Sequence, residues 1–441
     1  MTEAQVSQAP SLRRAVSRWE IVGLAVNDVI GSGVYLLPAA AAALLGPASL
    51  WAVLVTGGAV GLLVLCFAEA ASHFDEPGGG YVYTREAFGE FVGFEVGWMT
   101  WLARIASVAS LSNGFAQALG FLWPDATVGM TRALVIALPL ALLTWINVVG
   151  VKSGARTAVF LSIAKVLPLV FLIIVGLPAI DTSALFPIPA PRTDVLGEAA
   201  LLLLFAFAGF ENTAAAAGEY KNPQRDVPFA LLTMIALVTT LYFLIQLVAL
   251  GTLPDLAERV EGAPLADAAT LLVGAWAGVV MTVGAAVSIE GNVGNTTLMG
   301  PRYLFALAED GFGPRALASV HPTWRTPWVA IIVQSTIALV LALSGSFVQL
   351  AMLSIVARLA TYIGTAAAVP VLRRKFPRTE STVRLPGGPL IPILALALCL
   401  VFLLSATRWN LIAGAIALTI GAILFATRRK PVAHSAVPPT D

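Results

Sequence analysis

The sequence predicts an all-α polytopic membrane protein with twelve transmembrane helices, on three observations. Hydrophobic residues make up 58% of the chain and charged residues 12%, about half the roughly 25% charged residues of a soluble domain. Apolar segments of about 20 residues, the length that crosses a roughly 30 Å hydrocarbon core, recur along nearly the whole chain. The Lys and Arg residues collect on alternate connections, as the positive-inside rule requires.

Taken in order, the first 19 residues are polar and basic with no cleavage-site pattern, which predicts a cytoplasmic tail and no signal peptide. Spans are expected at 20–44, 50–72, 91–122, 129–148, 154–178, 194–217, 228–250, 268–301, 328–343, 347–372, 388–405 and 409–427, with a second cytoplasmic tail at 428–441. With both termini inside, the inner loops and tails hold nineteen of the 26 basic residues, Lys152, Arg373, Arg374 and Lys375 among them. The outer loops hold Arg132, Arg192, Arg259 and Arg408. This is the orientation of a cell-membrane protein of bacterial type. The stretch 252–267 reads as the longest external loop, 73–88 as either a gating or a plain connecting loop, and Pro386-Gly387-Gly388-Pro389 as the turn between spans ten and eleven.

Composition also excludes. A net charge of +1 offers no basic surface to nucleic acid. Cys66 and Cys399 lie in apolar runs and read as small buried hydrophobes. His73 and His321 have no second ligand at metal spacing, so no metal and no cofactor are expected.

Two spans carry breaks. Span one contains Asp28-Val29-Ile30-Gly31-Ser32-Gly33-Val34, and span six contains Phe207-Ala208-Gly209-Phe210-Glu211. Glycine lowers helix propensity by about 1 kcal/mol, and unwound backbone at membrane depth is tolerated only where it is buried or lines a cavity. The two segments are equivalent if 20–178 and 194–372 are structural repeats forming one core, with 373–427 supplying helices eleven and twelve. That is the arrangement of transporters with discontinuous helices and a midplane site. Half-helix N-termini there offer free N–H groups to a carboxylate.

At this point the chain resembles the amino acid/polyamine/organocation permease superfamily. The resemblance rests on Gly31-Ser32-Gly33-Val34-Tyr35 with Pro38, Glu69 followed by Pro77-Gly78-Gly79-Gly80-Tyr81-Val82-Tyr83, the run Gly218-Glu219-Tyr220-Lys221-Asn222-Pro223-Gln224-Arg225-Asp226-Val227-Pro228, and the run Arg302-Tyr303-Leu304-Phe305-Ala306-Leu307-Ala308-Glu309-Asp310-Gly311. It implies a five-plus-five inverted repeat with discontinuous helices one and six and two extra C-terminal helices. It further implies that Gly31, Ser32 and Gly33, with Ile30 before them, grip a substrate carboxylate. Phe207, Ala208 and Gly209 would border the ammonium, and Phe205 would be an aromatic gate. The implied activity is secondary active transport of amino acids or related amines by alternating access, coupled to protons or run as obligatory exchange, with no chemistry done on the substrate. A membrane receptor for amino acids is the alternative from another class; a membrane enzyme lacks a nucleophile-base-acid set.

Charged residues inside the spans complete the candidate site. Lys165 falls roughly 16 Å into span five, near the midplane, and is either a proton carrier or a clamp on the carbonyls of span one. Asp28 lies one turn before Gly31 on the same face, where it either meets a substrate amine or pairs with Lys165 or Arg104. Glu211 either titrates or holds the second break. Arg104, Glu290 and Arg358 are expected to have partners, as an internal ion-pair network or as receivers of substrate charge. Asn292, Asn295 and Thr296 share one face of span eight and suit hydrogen bonding to a substrate side chain, whereas Glu290 lies about 200° from Asn292.

Overall fold

A computed structural model of the chain describes residues 17–74, 79–150, 155–185, 187–215, 221–377 and 382–428. Both expected tails beyond these limits, Lys152, Gly154, Pro77, Gly78 and Gly218-Glu219-Tyr220 lie outside the described residues. Helix follows helix along the chain, and among the described residues there is no strand. The first half comprises α1 (Arg18–Val29), α2 (Gly33–Leu45), α3 (Ser49–Ala71), α4 (Gly80–Phe88), α5 (Glu90–Leu119), α6 (Gly129–Val149), α7 (Ala155–Gly176) and α8 (Thr182–Leu185). The second comprises α9 (Thr193–Phe207), α10 (Glu211–Ala215), α11 (Pro223–Thr252), α12 (Pro264–Val273), α13 (Ala275–Glu309), α14 (Trp328–Ser344), α15 (Phe347–Lys375), α16 (Leu390–Leu404) and α17 (Arg408–Ala426).

Six helical stretches among the described residues are long and apolar enough to cross a membrane by length and composition, the 35-residue α13 and 29-residue α15 among them. Their outer faces fit a lipid environment. Leu134, Leu138, Leu142 and Trp145 form an exposed stripe along α6, and Ile412, Ile416, Ile420 and Ile423 form another along α17. In water such continuous apolar faces would cause association; against acyl chains they are satisfied. The protein is a multi-pass membrane protein.

At the centre stands α5, which packs against α13, α14 and α15, while α1 and α2 lie against α7, α9 and α11. Motif residues hold the ends of the bundle. Arg373 donates 2.7 Å to Glu69, whose other bond is from the Leu385 amide at 3.0 Å. Arg18 reaches the buried Asp226 at 3.3 Å and ties the start of α1 to α11.

Two expectations about elements need correction. The single span at 268–301 is two helices, because Gly274 at φ +99° ends α12 and α13 then runs on to Glu309. A positive φ is cheap for glycine and breaks the helix there. The loop at 73–88 is largely the helix α4. The stretch 252–267 carries a short 3₁₀ turn at Leu256–Glu258, braced by Arg259 against Asp255 and Asp267, each at 2.6 Å. At the turn between α15 and α16, Gly387 and Gly388 take φ values of +76° and +61°.

Candidate substrate site at the two helix breaks

The sequence breaks both helices where glycine was read. Ile30 is extended after α1, and α2 restarts at Gly33 with Ser32 as its N-cap. Ala208 is extended after α9, and Gly209 at φ +124° leads into α10. The two interruptions touch through backbone: a methyl group at Gly209 would stand 2.5 Å from the Asp28 carbonyl oxygen. Gly33 permits a second close approach, since a methyl there would fall 2.6 Å from the Ala206 Cα. Glycine is needed at both positions because a side chain has no space.

Each break presents one backbone end to a charged side chain. At the first, the Lys165 ammonium donates to the carbonyls of Asn27 at 3.1 Å and Ile30 at 3.3 Å, and to Asn292 Oδ1 at 2.9 Å. These carbonyls form the negative end of α1, where a cation is favoured. At the second, the Glu211 carboxylate accepts the Gly209 amide at 3.1 Å and is paired with Arg358. Arg358 also donates 2.9 Å to Ser107.

The opposite ends are left open. Among the described residues, none of the N–H groups of Gly31, Ser32 and Gly33 finds an acceptor, and the carbonyls of Phe207 and Ala208 find no donor. The Ser32 hydroxyl is buried and equally without a partner. A small cavity of about 40 Å³ lies between them. Asp28, Gly31, Ser32, Gly33, Arg104, Phe205, Ala208, Gly209, Asn292, Thr296 and Arg358 all line it. Among its lining residues, Phe205 meets the Phe347 ring edge-on at 6.0 Å. The face predicted on α13 is real: Asn295, with Asn292 and Thr296, lines the cavity and donates 2.7 Å to the Asp28 carboxylate.

A model of the family described as amino acid permease matches residues 16–425. This chain belongs to the amino acid permease family. Among curated relatives, the serine/threonine exchanger SteT of Bacillus subtilis (strain 168) is 32% identical over 88% of this chain and 89% of its own length. The methylthioribose transporter of the same organism is 28% identical over 95% of this chain and 94% of its own length. Its branched-chain amino acid permease BcaP is also 28% identical, over 96% of this chain and 94% of its own length. These relatives are transporters, and this permease is likewise a transporter and no enzyme.

Within the permease several predicted residues stand elsewhere than expected. Phe207 does not line the cavity; it is fully buried against Tyr242, with ring centroids 4.9 Å apart. Two residues along a helix turn a side chain by about 200°, so Phe205 and Phe207 cannot both face the substrate. Ile30 is 1% exposed and meets the site through its carbonyl alone, which Lys165 and Ser288 share. Asp28 makes its bond to Asn295, not to Lys165 or Arg104. Of the three charges expected to have partners, two find them on the second break and one does not. Arg358 takes Glu211, Arg104 takes the Asn212 carboxamide, and Glu290 has no hydrogen bond or ion pair among the described residues. Sequence reasoning missed Asn212, Ser107 and Leu111 as lining residues. The signal was present for two of them: Arg104, Ser107 and Leu111 follow the i, i+3, i+7 stripe of one helix face.

Proposed function

We propose that this permease is a secondary active transporter that carries amino acids across the cell membrane by alternating access. Twelve spans in a five-plus-five inverted repeat, with both termini cytoplasmic, give it this geometry: the two breaks meet at the membrane midplane and one bundle rocks about them. The observation that carries the reading is the pairing of free backbone ends. Open N–H groups at Gly31, Ser32 and Gly33 suit an α-carboxylate, and the open carbonyl of Ala208 suits an α-ammonium. Asp28 adds a negative charge on the ammonium side, Phe205 closes the site, and Asn292 and Thr296 border the substrate.

Coupling centres on Lys165, which ties α7 to the first break. Proton-coupled uptake follows if Lys165 gives up its proton during the cycle and loosens its grip on Asn27 and Ile30. Obligatory exchange is the second reading, favoured by the 32% identity to a protein named as a serine/threonine exchanger. The other relatives span a methylthioribose transporter and a branched-chain permease, so the solute itself follows from this chain's own cavity.

Uptake of radiolabelled amino acids into proteoliposomes, with and without a proton gradient and with and without internal substrate, tests the proposal. Gradient-driven accumulation that Lys165→Ala abolishes supports symport. Uptake that needs internal substrate and ignores the gradient makes the protein an exchanger. Binding without movement of any solute overturns the transporter mechanism.

A further inference from the structure

The charges around the cavity do not balance, and the imbalance identifies what the substrate brings. The Lys165 nitrogen has three acceptors, at 2.9, 3.1 and 3.3 Å. An ammonium has three N–H donors and a neutral amine two, so this geometry is that of the charged form. Arg358 is charged and answered by Glu211. Arg104 makes no ion pair among the described residues: it donates to the Asn212 carboxamide and stands 5.4 Å from the Tyr303 ring, with Asp28 the nearest acid across the cavity. Its Nε is buried without a partner, although the residue is only 2% exposed. With Asp28 and Glu211 as the two acids facing Lys165, Arg104 and Arg358, the site is one positive charge in excess, and Glu290 lies on another face of α13. Buried guanidinium groups are ordinarily matched by an acceptor of opposite charge.

We propose that Arg104 is a specificity-determining residue that receives a carboxylate on the substrate's side chain, so that the site selects an acidic amino acid. The inference rests on the amino acid reading above and adds the side-chain class. Position supports it. Leu111 on α5 stands at the level of Gly31, 3.8 Å from where a methyl on that glycine would be. Arg104 lies seven residues earlier on the same helix, hence about 10 Å away along the axis. A substrate whose α-carboxylate occupies the Gly31–Gly33 amides therefore extends its side chain along α5 toward the guanidinium. There Nε and Asn212 supply a charged and a neutral contact. An acidic amino acid carries one net negative charge and brings the site to neutrality; an apolar one leaves the excess in place.

The test is binding to the purified full-length protein in lipid nanodiscs, with L-aspartate, L-glutamate, L-serine and L-leucine as probes, for wild type, Arg104→Gln and Arg104→Lys. Wild type is expected to bind an acidic amino acid at least about tenfold more tightly than L-leucine, the factor one charged hydrogen bond supplies. Arg104→Gln should erase that preference by weakening the acidic ligand more than L-leucine, and Arg104→Lys should restore part of it. Thermal melting of each unliganded variant is the check on folding. Wild type that prefers L-serine or L-leucine overturns the inference without any variant, and leaves the amino acid reading standing. Equal weakening of every ligand by Arg104→Gln also overturns it, since that marks a structural role. If wild type binds no amino acid of any class, the reading beneath it falls as well.

Discussion

Where α1 gives way to α2, the protein sets a cation against carbonyls; where α9 gives way to α10, it sets a carboxylate against an amide. In the first break the C-terminal end is occupied by Lys165 and the N-terminal end is open. In the second the N-terminal end is occupied by Glu211 and the C-terminal end is open. The difference teaches how unwound backbone is kept in a membrane. One half of the exposed polar groups is satisfied by a charged side chain, and the other half is open, which in the proposed function receives a zwitterion of matching polarity. The two breaks are thus complementary, and neither alone would bind both ends of an amino acid.

The largest way to disturb this comparison is to remove the anion of the second break. Glu211→Ala leaves Arg358 buried with Ser107 alone, and losing one partner of a buried pair costs about 3–5 kcal/mol. We expect a large fall in thermal stability in detergent and no transport, whereas Glu211→Gln should recover part of the stability by still accepting the Gly209 amide. A smaller effect is expected at the first break. Lys165→Met strands the Asn27 and Ile30 carbonyls, at about 1–3 kcal/mol for each that finds no water, and should show as weaker binding before it shows as unfolding. Gly209→Ala tests the contact between the breaks. It forces a side chain into φ +124° and against Asp28, a strain of about 1–3 kcal/mol, and should lower affinity for every substrate equally in the same binding assay.

The smallest effect belongs to the stretch 252–267, none of whose residues lines the cavity. Arg259 holds the Asp255 carboxyl below the usual carboxylate range through a hydrogen bond and its charge. A depressed carboxylate contributes its bracing above its ordinary pKa and loses it as pH falls through the lowered one. Hydrogen-exchange protection over 252–267, taken relative to the intrinsic rate at each pH, should therefore be full at neutral pH and fall only in acid, and Asp255→Asn should remove that dependence while leaving transport within about twofold.

The breaks at Gly31, Gly33 and Gly209 were legible in the sequence because the glycines come as a matched pair of segments, although close helix packing alone also explains such residues in a span. The Asn292-Asn295-Thr296 face was legible because helical periodicity alone decides it. What lay hidden was which way charge pairs. Arg358 and Glu211 are 147 residues apart, and only the packing of α15 against the second break brings them together. Phe207 misled because its motif position is right while its side chain turns away. Asn212 was overlooked beside the more conspicuous Glu211. The break at Gly274 hid inside a stretch apolar enough to read as one span.

The most direct measurement compares binding of L-serine, L-aspartate and L-leucine with that of their decarboxylated amines and their α-hydroxy acids. If the two breaks read the two ends of an amino acid, every analogue lacking one end should bind at least about tenfold more weakly than any amino acid that binds. An amine that binds as well as its parent amino acid would contradict the account, because the open amides of Gly31, Ser32 and Gly33 would then have no role in recognition.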